Sequence, residues 1–404
     1  MIFTMAWRNI WRHKARSLVI MLSIILGLFA GIAVLALYEG MMAGRIRTVI
    51  DEEAGHIQMH HPEFSNEFEP RYVIDQSDEI IQKSRTIPEI IQINKRTLVS
   101  GMLSTPTGTA GVQVLGIDTS TEYTFSSLKK KIKEGKEFSA NKKHQAIIGK
   151  KLAKKMKLHV GSKLVLMFND TSNNLVSSAF RVAAIYQSSN APLDERLVYV
   201  SGDELSSLVG LPGEIHQIGF KLNEDKDVDR VAAKLQELFP SLKTETWKVL
   251  SPETEFMVKT VDTYSYIIMI IIMIALAFGI LNTMLMAIME RTREIGMIAA
   301  LGTSRVRIFF LVLLETVLLT LAGAPIGIFS GWATAAYFHK NGLDLSGMGE
   351  DLMSNFGFRT MIYPEFPAEK LIPVLSIVII TALLSSLLPA IKAVTMKPIE
   401  ALKK

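Results

Sequence analysis

Four stretches of this chain stay apolar long enough to cross a bilayer. Ser17–Tyr38 and Ser265–Met289 contain no charged residue, Ile308–Phe338 contains one, Glu315, and Leu371–Ile391 contains none, with Pro373 and Pro389 near its ends. About 20 consecutive apolar residues span roughly 30 Å of hydrocarbon as a helix, so each stretch predicts a transmembrane helix. Between the first and the second the pattern changes to short alternating runs. "AGHIQMHH", "QINKRTLVSGML" and "AGVQVLGID" read as strands, "DQSDEIIQKSR" as a helix, and "QAIIGKKLAKKMKL" as a strand feeding a helix. "SKLVLMF", "AFRVAAIYQ", "RLVYV", "HQIGFKL" and "KTETWKVL" continue the strand pattern. In "KDVDRVAAKLQELFP", Val228, Val231, Ala232, Leu235 and Leu238 form a helical stripe.

The pattern therefore predicts an α-helical membrane protein with four transmembrane helices and a large α+β extracytoplasmic domain inserted between helices 1 and 2. Residues 1–16 read as an N-terminal interfacial helix, with Trp7, Ile10 and Trp11 on one face among basic residues. The spans are 17–38, 265–289, 305–338 and 371–391, with the outer domain at 39–264. Its two flanks read as one discontinuous α/β lobe, with a β-rich lobe inserted at 98–212. A cytoplasmic segment at 290–304, an extracytoplasmic loop at 339–370 and a cytoplasmic tail at 392–404 complete the layout.

Composition supports a membrane protein: 49% of the 404 residues are hydrophobic, mean hydropathy is +0.28 and net charge is only +5. The absence of cysteine excludes disulfides and thiol chemistry. Charge sets the orientation. Arg8, Arg12, Lys14 and Arg16 precede the first span, Arg291, Arg293, Arg305 and Arg307 lie between the second and third, and Lys392, Lys397, Lys403 and Lys404 follow the fourth. All three basic flanks fall on one side if both termini are cytoplasmic. The first apolar run, about 22 residues, is longer than the 7–15 of a signal-peptide core.

No enzyme motif is present. "GKKLAKK" at Gly149 lacks the upstream glycine and the following Ser/Thr of a phosphate loop. On a strand His56 and His60 would share a face while His61 points away, and no third ligand is evident, so no metal site is assigned. Acids and bases nearly cancel across the outer domain, which implies no nucleic-acid role. Lys129–Lys163 nonetheless holds 13 lysines and no arginine, either a solvated basic face or a contact for anionic headgroups or an acidic partner. Within the spans, the polar residues singled out are Glu315 and Asn282. A carboxylate in hydrocarbon needs a partner, so Glu315 should meet a neighbouring helix.

The sharpest signal is "ERTREIGMIAALG", Glu290–Gly302, wedged between two spans. Ile295, Ile298, Ala299 and Leu301 give it an apolar side, and Glu290, Arg291, Arg293 and Glu294 a charged front, the pattern of a short helix along the membrane surface. Gly296 permits close packing, and Gly302 suits a helix end.

This stretch resembles the Glu-Arg-x-Arg-Glu-Ile-Gly…Ala-x-Gly signature of the FtsX-like, MacB-type ABC transporter permeases, carried here by Glu290, Arg291, Arg293, Glu294, Ile295, Gly296, Ala300 and Gly302. "PAIKAVTMKPIEAL" is similar to the family's closing motif, through Pro389, Ala390, Ala393, Pro398, Ile399, Glu400, Ala401 and Leu402; Ile391-Lys392 departs from its usual basic pair. "IIGKKLAKKMKLHVGSKLVL" and "WRNIWRHKARS" extend the resemblance over the full length. It implies a MacB-type periplasmic core domain and an inner-membrane permease that is not itself an enzyme and binds no cofactor. The ATP would be bound by a separate ABC ATPase subunit, docked on Glu290–Gly302 as a coupling helix, beside a second permease, identical or homologous. The lipoprotein-releasing (LolC/LolE) branch looks nearest, with a lipoprotein substrate, a periplasmic chaperone or adaptor, and Met269, Met273, Met284 and Met286 offered to acyl chains or to lipid. Efflux of macrolides or peptides through an adaptor is the alternative within the class. A non-transporting permease that controls a cell-wall hydrolase, or a membrane-anchored sensor, are the alternatives outside it.

Overall fold

The computed structural model describes residues 2–12, 14–64, 68–139 and 142–395. In chain order, α1 is Ile2–Arg12 and α2 is Lys14–Thr48, which runs into a π-helical turn, Val49–Glu53. β1 (Ile57–His60), α3 (Ser77–Ser84), β2 (Ile90–Thr105), β3 (Gly108–Ile117), α4 (Thr119–Phe125), α5 (Leu128–Lys131) and β4 (Ile132–Gly135) follow. Then come β5 (Gln145–Gly149), α6 (Lys150–Met156), β6 (Lys163–Asn169), β7 (Leu175–Tyr186), α7 (Ala191–Arg196), β8 (Leu197–Ser201) and α8 (Gly202–Val209). β9 (Gln217–Leu222), α9 (Val228–Leu238), β10 (Lys243–Thr246) and α10 (Trp247–Leu250) lead to α11 (Pro252–Glu290), α12 (Thr292–Ala300) and α13 (Arg305–Asn341). Last are β11 (Leu343–Asp344), α14 (Glu350–Asn355), β12 (Met361–Ile362) and α15 (Leu371–Thr395).

The chain divides into two units. A helical unit takes the chain up to Met42, Val258–Leu343 and the chain from Met361; an α+β unit takes Ala43–Met257 and Asp344–Thr360. Helices α2 and α11 are thus longer than the apolar runs inside them, which end at Tyr38 and begin at Ser265. Hydropathy reports where oil gives way to water. The backbone stays helical past that point: neither "EGMMAGRIRT" nor "PETEFMVKTVDTY" has a proline inside the helix, Pro252 standing at its first position. The segment 339–370, expected to be a loop, is also split: Asp344–Thr360 belongs to the α+β unit. There Arg359 reaches Thr48 at 3.2 Å, and Asp51 and Glu52 at 3.5 Å each.

The α+β unit is organised by one long strand. Residues 90–96 of β2 pair antiparallel with β9, while 96–105 pair with β3 and 101–104 with β6. The first part completes a four-stranded antiparallel sheet of order β10-β1-β9-β2, a βαββαβ arrangement in which α3 and α9 are the two crossovers. Its core includes Ile57, Met59, Ile80, Ile81, Phe220, Val231 and Leu235. Leu238, the last residue of the expected α9 stripe, is half exposed, and "KTETWKVL" stays extended only to Thr246 before turning helical.

The second part of β2 closes a ring. β2 pairs β3, β3 pairs β8, β8 pairs β5, β5 pairs β7, β7 pairs β6, and β6 returns to β2. The expected β-rich insert is therefore a six-stranded barrel, and it shares β2 with the flanking lobe instead of standing apart from it. Alternate residues fill its interior, among them Val99, Leu103, Val114, Leu166, Phe180 and Val200, with Leu152 and Met156 of α6 and Leu205 and Val209 of α8 in the same core. Gly101 sits where β6 approaches: a Cβ there would lie 2.3 Å from the Met167 carbonyl oxygen.

Charged groups buried in this unit converge on the π turn. Its extra residue per turn fans three consecutive acids outward. Asp51 accepts from Lys221 of β9 at 3.0 Å. Glu52 accepts from the Ser189 amide and hydroxyl at 3.1 Å and lies 3.4 Å from Lys131. Glu53 accepts from Arg45 at 2.7 Å and from Asn190 at 2.8 Å, and its carbonyl accepts from Arg96 at 2.9 Å. Arg96 in turn grips the fully buried Glu122 at 2.6 and 3.0 Å. Burial alone would raise the Glu122 carboxyl; the Arg96 charge and its hydrogen bonds outweigh that and hold it below its ordinary value. Asp194, beside this group, goes the other way. Burial pushes it up to about 6, against hydrogen bonds from Ser188 and the charge of Lys131. Burial lowers Lys131 as well, and its side chain is only 12% exposed, so one of the thirteen lysines turns inward and is not part of a solvated face.

In the helical unit α2 buries Ile20, Ile24, Leu28 and Ile32, one residue per turn. Opposite them α13 carries Gly323, Gly327 and Gly331. A Cβ on Gly327 would lie 2.9 Å from Cβ of Leu28, and one on Gly331 would lie 2.8 Å from Cβ of Ile32. The glycines are what let two backbones meet where lipid supplies no hydrophobic drive. Across α2 from this seam, Gly27 and Gly31 receive Leu276 and Met269 of α11. Met269, Met273 and Met284 are buried among the helices, so of the four methionines discussed above only Met286 faces outward. Helices α13 and α15 share a core that contains Val312, Leu319, Val374 and Val378.

Two outcomes follow. Gly327→Leu and Gly331→Leu should each destabilise the protein by about 1–3 kcal/mol through overpacking, read as a lower thermal midpoint in detergent. Gly279→Leu, on α11 with nothing within 4 Å of its Cβ position, should not. Asp194, whose folded pKa is raised from 3.8 to about 6, contributes stability that is whole below pH 3.8 and is lost as pH rises through about 6. The gap is worth at most ~3 kcal/mol. Hydrogen exchange of the amides of 188–191, 193 and 194 should therefore speed up between pH 5 and 7 beyond its intrinsic pH dependence, and Asp194→Asn should flatten that excess.

Candidate functional site

The segment singled out by its charges folds as α12, set between α11, which ends at Glu290, and α13, which starts at Arg305. Gly302 closes it with φ +90°, a left-handed conformation that favours glycine, and the Thr303 amide returns to the Ile298 carbonyl at 3.3 Å. The helix has two faces. Ile295 packs on the core of the helical unit, and Gly296, expected to be a point of close approach for a partner, is buried within its own unit. Glu290, Arg293, Met297 and Leu301, spaced three and four apart, are exposed along the other side, and Ala300 is exposed beside them. Leu301 is 87% exposed and Met297 48%. A mixed stripe of one acid, one arginine and two large apolar side chains is unusual for a bare turn.

The remaining charges turn inward and brace the helix. Arg291 Nε lies 3.1 Å from Glu294, and its Nη1 lies 3.4 Å from Glu315 on α13. Glu315, only 5% exposed, thus has the helix-to-helix contact that burial in an apolar span demands. Glu294 also meets Arg12 of α1 at 3.3 Å, so the N-terminal helix is tied to the same cluster. A cavity of about 40 Å³, lined in part by Asn9, Arg291, Glu294 and Glu315, adjoins these groups and has room for water.

The other residues singled out lie elsewhere. Asn282 is exposed on α11. Pro389 is buried in α15, with Ala390 and Ala393 on the same buried side. Pro398 and Glu400 lie outside the described residues. His56 pairs with Asp225 at 2.9 Å and His60 with Glu245 at 2.8 Å, each a single carboxylate. Trp7 and Trp11 are exposed on α1 and meet edge to face, while Ile10 packs toward the helical core. Sequence reasoning missed the Arg12 brace, which no spacing rule reveals. It also missed the α13 glycine seam, which "GAPIGIFSG" spells at every fourth residue.

Four helices long and apolar enough to cross a membrane, a βαββαβ unit carrying a barrel, and a braced amphipathic helix between two of the spans now define the chain. The MacB-like periplasmic core domain family matches residues 17–238, more than half of the sequence, and the FtsX-like permease C-terminal family matches residues 266–398. The chain belongs to the MacB/FtsX family of ABC transporter permeases. Such a permease, with its four apolar helices, is a membrane-embedded protein. An uncharacterized ABC transporter permease of Methanocaldococcus jannaschii is 26% identical over 67% of this chain, and the chain spans 65% of that relative's length. Another, YvrN of Bacillus subtilis, is 22% identical over 98% of both chains. The macrolide export ATP-binding/permease protein MacB of Aggregatibacter actinomycetemcomitans is 23% identical over 81% of this chain, which spans about half of it (51%).

The brace makes the permease testable by a double-mutant cycle. Glu315→Leu alone leaves the guanidinium of Arg291 beside an apolar site, with Glu294 as its remaining carboxylate, and should destabilise the helical unit by about 2–5 kcal/mol. Adding Arg291→Met should recover most of that loss, for a coupling energy of about 1–3 kcal/mol, measured by unfolding in mixed micelles. Strictly additive losses would show that the two side chains do not act as a pair.

Proposed function

We propose that this permease couples ATP hydrolysis on a separate ABC ATPase subunit to movement of its α+β unit, with α12 as the docking element. What carries this reading is the exposed stripe of α12. Arg293, Met297 and Leu301 stand out from a helix held rigid from behind by Arg291, Glu294, Glu315 and Arg12. A braced helix passes a push on to the spans, where a loose loop would absorb it. The ATP and its phosphate loop are the partner's, and this chain does no catalysis of its own.

The basic flanks support cytoplasmic termini and α12, with the α+β unit outside the inner membrane. A second permease, a copy or a homologue, completes the assembly. Asn282 supports this, since it is exposed on a membrane helix and its side chain makes no hydrogen bond among the described residues. The substrate class we assign is lipoproteins, lifted from the membrane and passed to a periplasmic chaperone. Efflux of macrolides or peptides through a periplasmic adaptor is the second reading, favoured by the name of the MacB relative. A signalling permease acting on a cell-wall hydrolase is the third.

Met297→Asp with Leu301→Asp should reduce ATPase co-purification at least roughly tenfold, as expected for losing apolar anchors at the centre of a contact. Glu290→Gln, at the end of the stripe, should have a small effect. Wild-type retention of the ATPase by the double variant would remove α12 as the docking element. Native mass spectrometry of the intact complex separates the substrate readings: a bound lipoprotein favours release, an adaptor favours efflux and a hydrolase favours signalling.

A further inference from the structure

The lysines between Lys129 and Lys163 do not share one fate. Lys129 pairs with Glu137 at 2.9 Å, Lys131 with Glu52, Lys150 with Gln187, Lys151 with Asn355 and Lys155 with Glu195. Lys136, Lys142, Lys143 and Lys163 instead converge with Arg181 on one cleft of about 990 Å³ at the end of the barrel. They come from four separate segments: the exit of β4, the approach to β5, the start of β6 and the outer face of β7. Among the described residues the only carboxylate lining the cleft is Glu137, already held by Lys129.

The walls are built and not incidental. Each of the three connecting segments is hydrogen-bonded to β7 within the same three residues. The Lys136 amide donates to the Ala183 carbonyl at 3.2 Å, the Arg181 amide to the His144 carbonyl at 2.8 Å, and the Gly161 amide to the Val182 carbonyl at 2.8 Å. Alternation along β7 sends Phe180 and Val182 into the barrel core and turns Ala179, Arg181 and Ala183 outward. Part of the lining is consequently low and apolar, Ala179, Ala183, Gly161 and the half-exposed Val160, beside the polar Ser139, His144 and Gln145, with long cationic side chains around it. No Cβ neighbour lies within 4 Å at Gly161, so that side is open.

We propose that this cleft is a binding site for a phosphate-bearing amphiphile, the anionic head held by Lys142, Lys143, Lys163 and Arg181 and the apolar body lying on Ala179 and Val160. Several point charges from separate segments suit a dianionic phosphate better than a single carboxylate, and the cleft has room for an apolar body beside the head. The apolar surface distinguishes the site from one for free inorganic phosphate. It stands independently of α12 and of any ATPase.

The test uses the full-length protein in nanodiscs of zwitterionic phosphatidylcholine, titrated calorimetrically with n-octyl phosphate and corrected against empty nanodiscs. Saturable binding is expected, weakened by salt, with octyl glucoside and inorganic phosphate each at least about tenfold weaker. Lys142→Glu/Lys143→Glu/Lys163→Glu should lower affinity at least about tenfold. Lys133→Glu/Lys154→Glu/Lys157→Glu, with the same change in net charge outside the cleft, should change it less than about twofold. Ala179→Glu, which leaves all the lysines in place, guards against misfolding of the triple variant and should also abolish binding. Flotation with separate vesicles containing one-fifth phosphatidic acid distinguishes the source. Lysine-dependent capture assigns a bilayer headgroup, and octyl phosphate binding without capture assigns a free amphiphile. Equal octyl phosphate binding by wild type and the cleft variants, or equal binding of octyl glucoside, would overturn the proposal.

Discussion

The helical unit depends on how closely α2 and α13 can approach. In lipid, one apolar side chain is as well solvated by acyl tails as by another helix, so association must come from contact area and close backbone geometry. Gly323, Gly327 and Gly331 remove the obstacle on one helix, and Ile24, Leu28 and Ile32 fill the space from the other. The residues that would be hazards in water, such as Ile270, Ile274, Phe278, Phe329 and Ile380, are left on the outside. That division makes sense only in hydrocarbon, where exposed apolar surface carries no penalty.

The α+β unit solves a different problem with different means. Its stem segment ends in Asp51, Glu52 and Glu53, and each acid is matched by cations or donors from elsewhere in the fold. Buried pairs such as those of Glu52 and Glu53 add little net stability compared with well-packed apolar groups, but they are intolerant of losing one member, whereas Asp51 is 43% exposed. Their value is geometric, because β9, α5, the 188–190 loop and the 344–360 segment all meet on the same three carboxylates. The barrel beside them has an ordinary apolar core and leaves its cations for the surface.

How much of this was legible follows from what each signal measures. Spans were visible because hydrocarbon thickness fixes a run length, and α12 because its charges interrupt such a run. Strands such as β6 and β7 were visible through alternation. Helix ends were not, since Glu39 and Tyr264 mark a change of solvent and not of backbone. Nor was ring closure, because the pairing of Gly101 with Phe168 bridges residues that no local pattern connects. Within the site, Arg293 was legible as exposed. The inward turn of Glu294 was not, because it depends on Arg12 arriving from a helix 282 residues away in sequence. The glycine seam was present in the letters and was overlooked; period-four glycine inside an apolar run is a packing signal in its own right.

The sharing of β2 between sheet and barrel also lets the barrel close first in a chain made from its N-terminus. Every strand of the ring has been synthesised by Ser201, whereas β2's remaining neighbour, β9, does not begin until Gln217 and the outer strand β10 not until Lys243. A closed barrel would then hold residues 90–96 as a bare edge, its amides and carbonyls unpaired until β9 arrives. Unpaired edges recruit whatever strand comes first. Asn94, Lys95 and Arg96 occupy that edge, and polar and charged side chains there oppose pairing with a foreign strand before β9 docks.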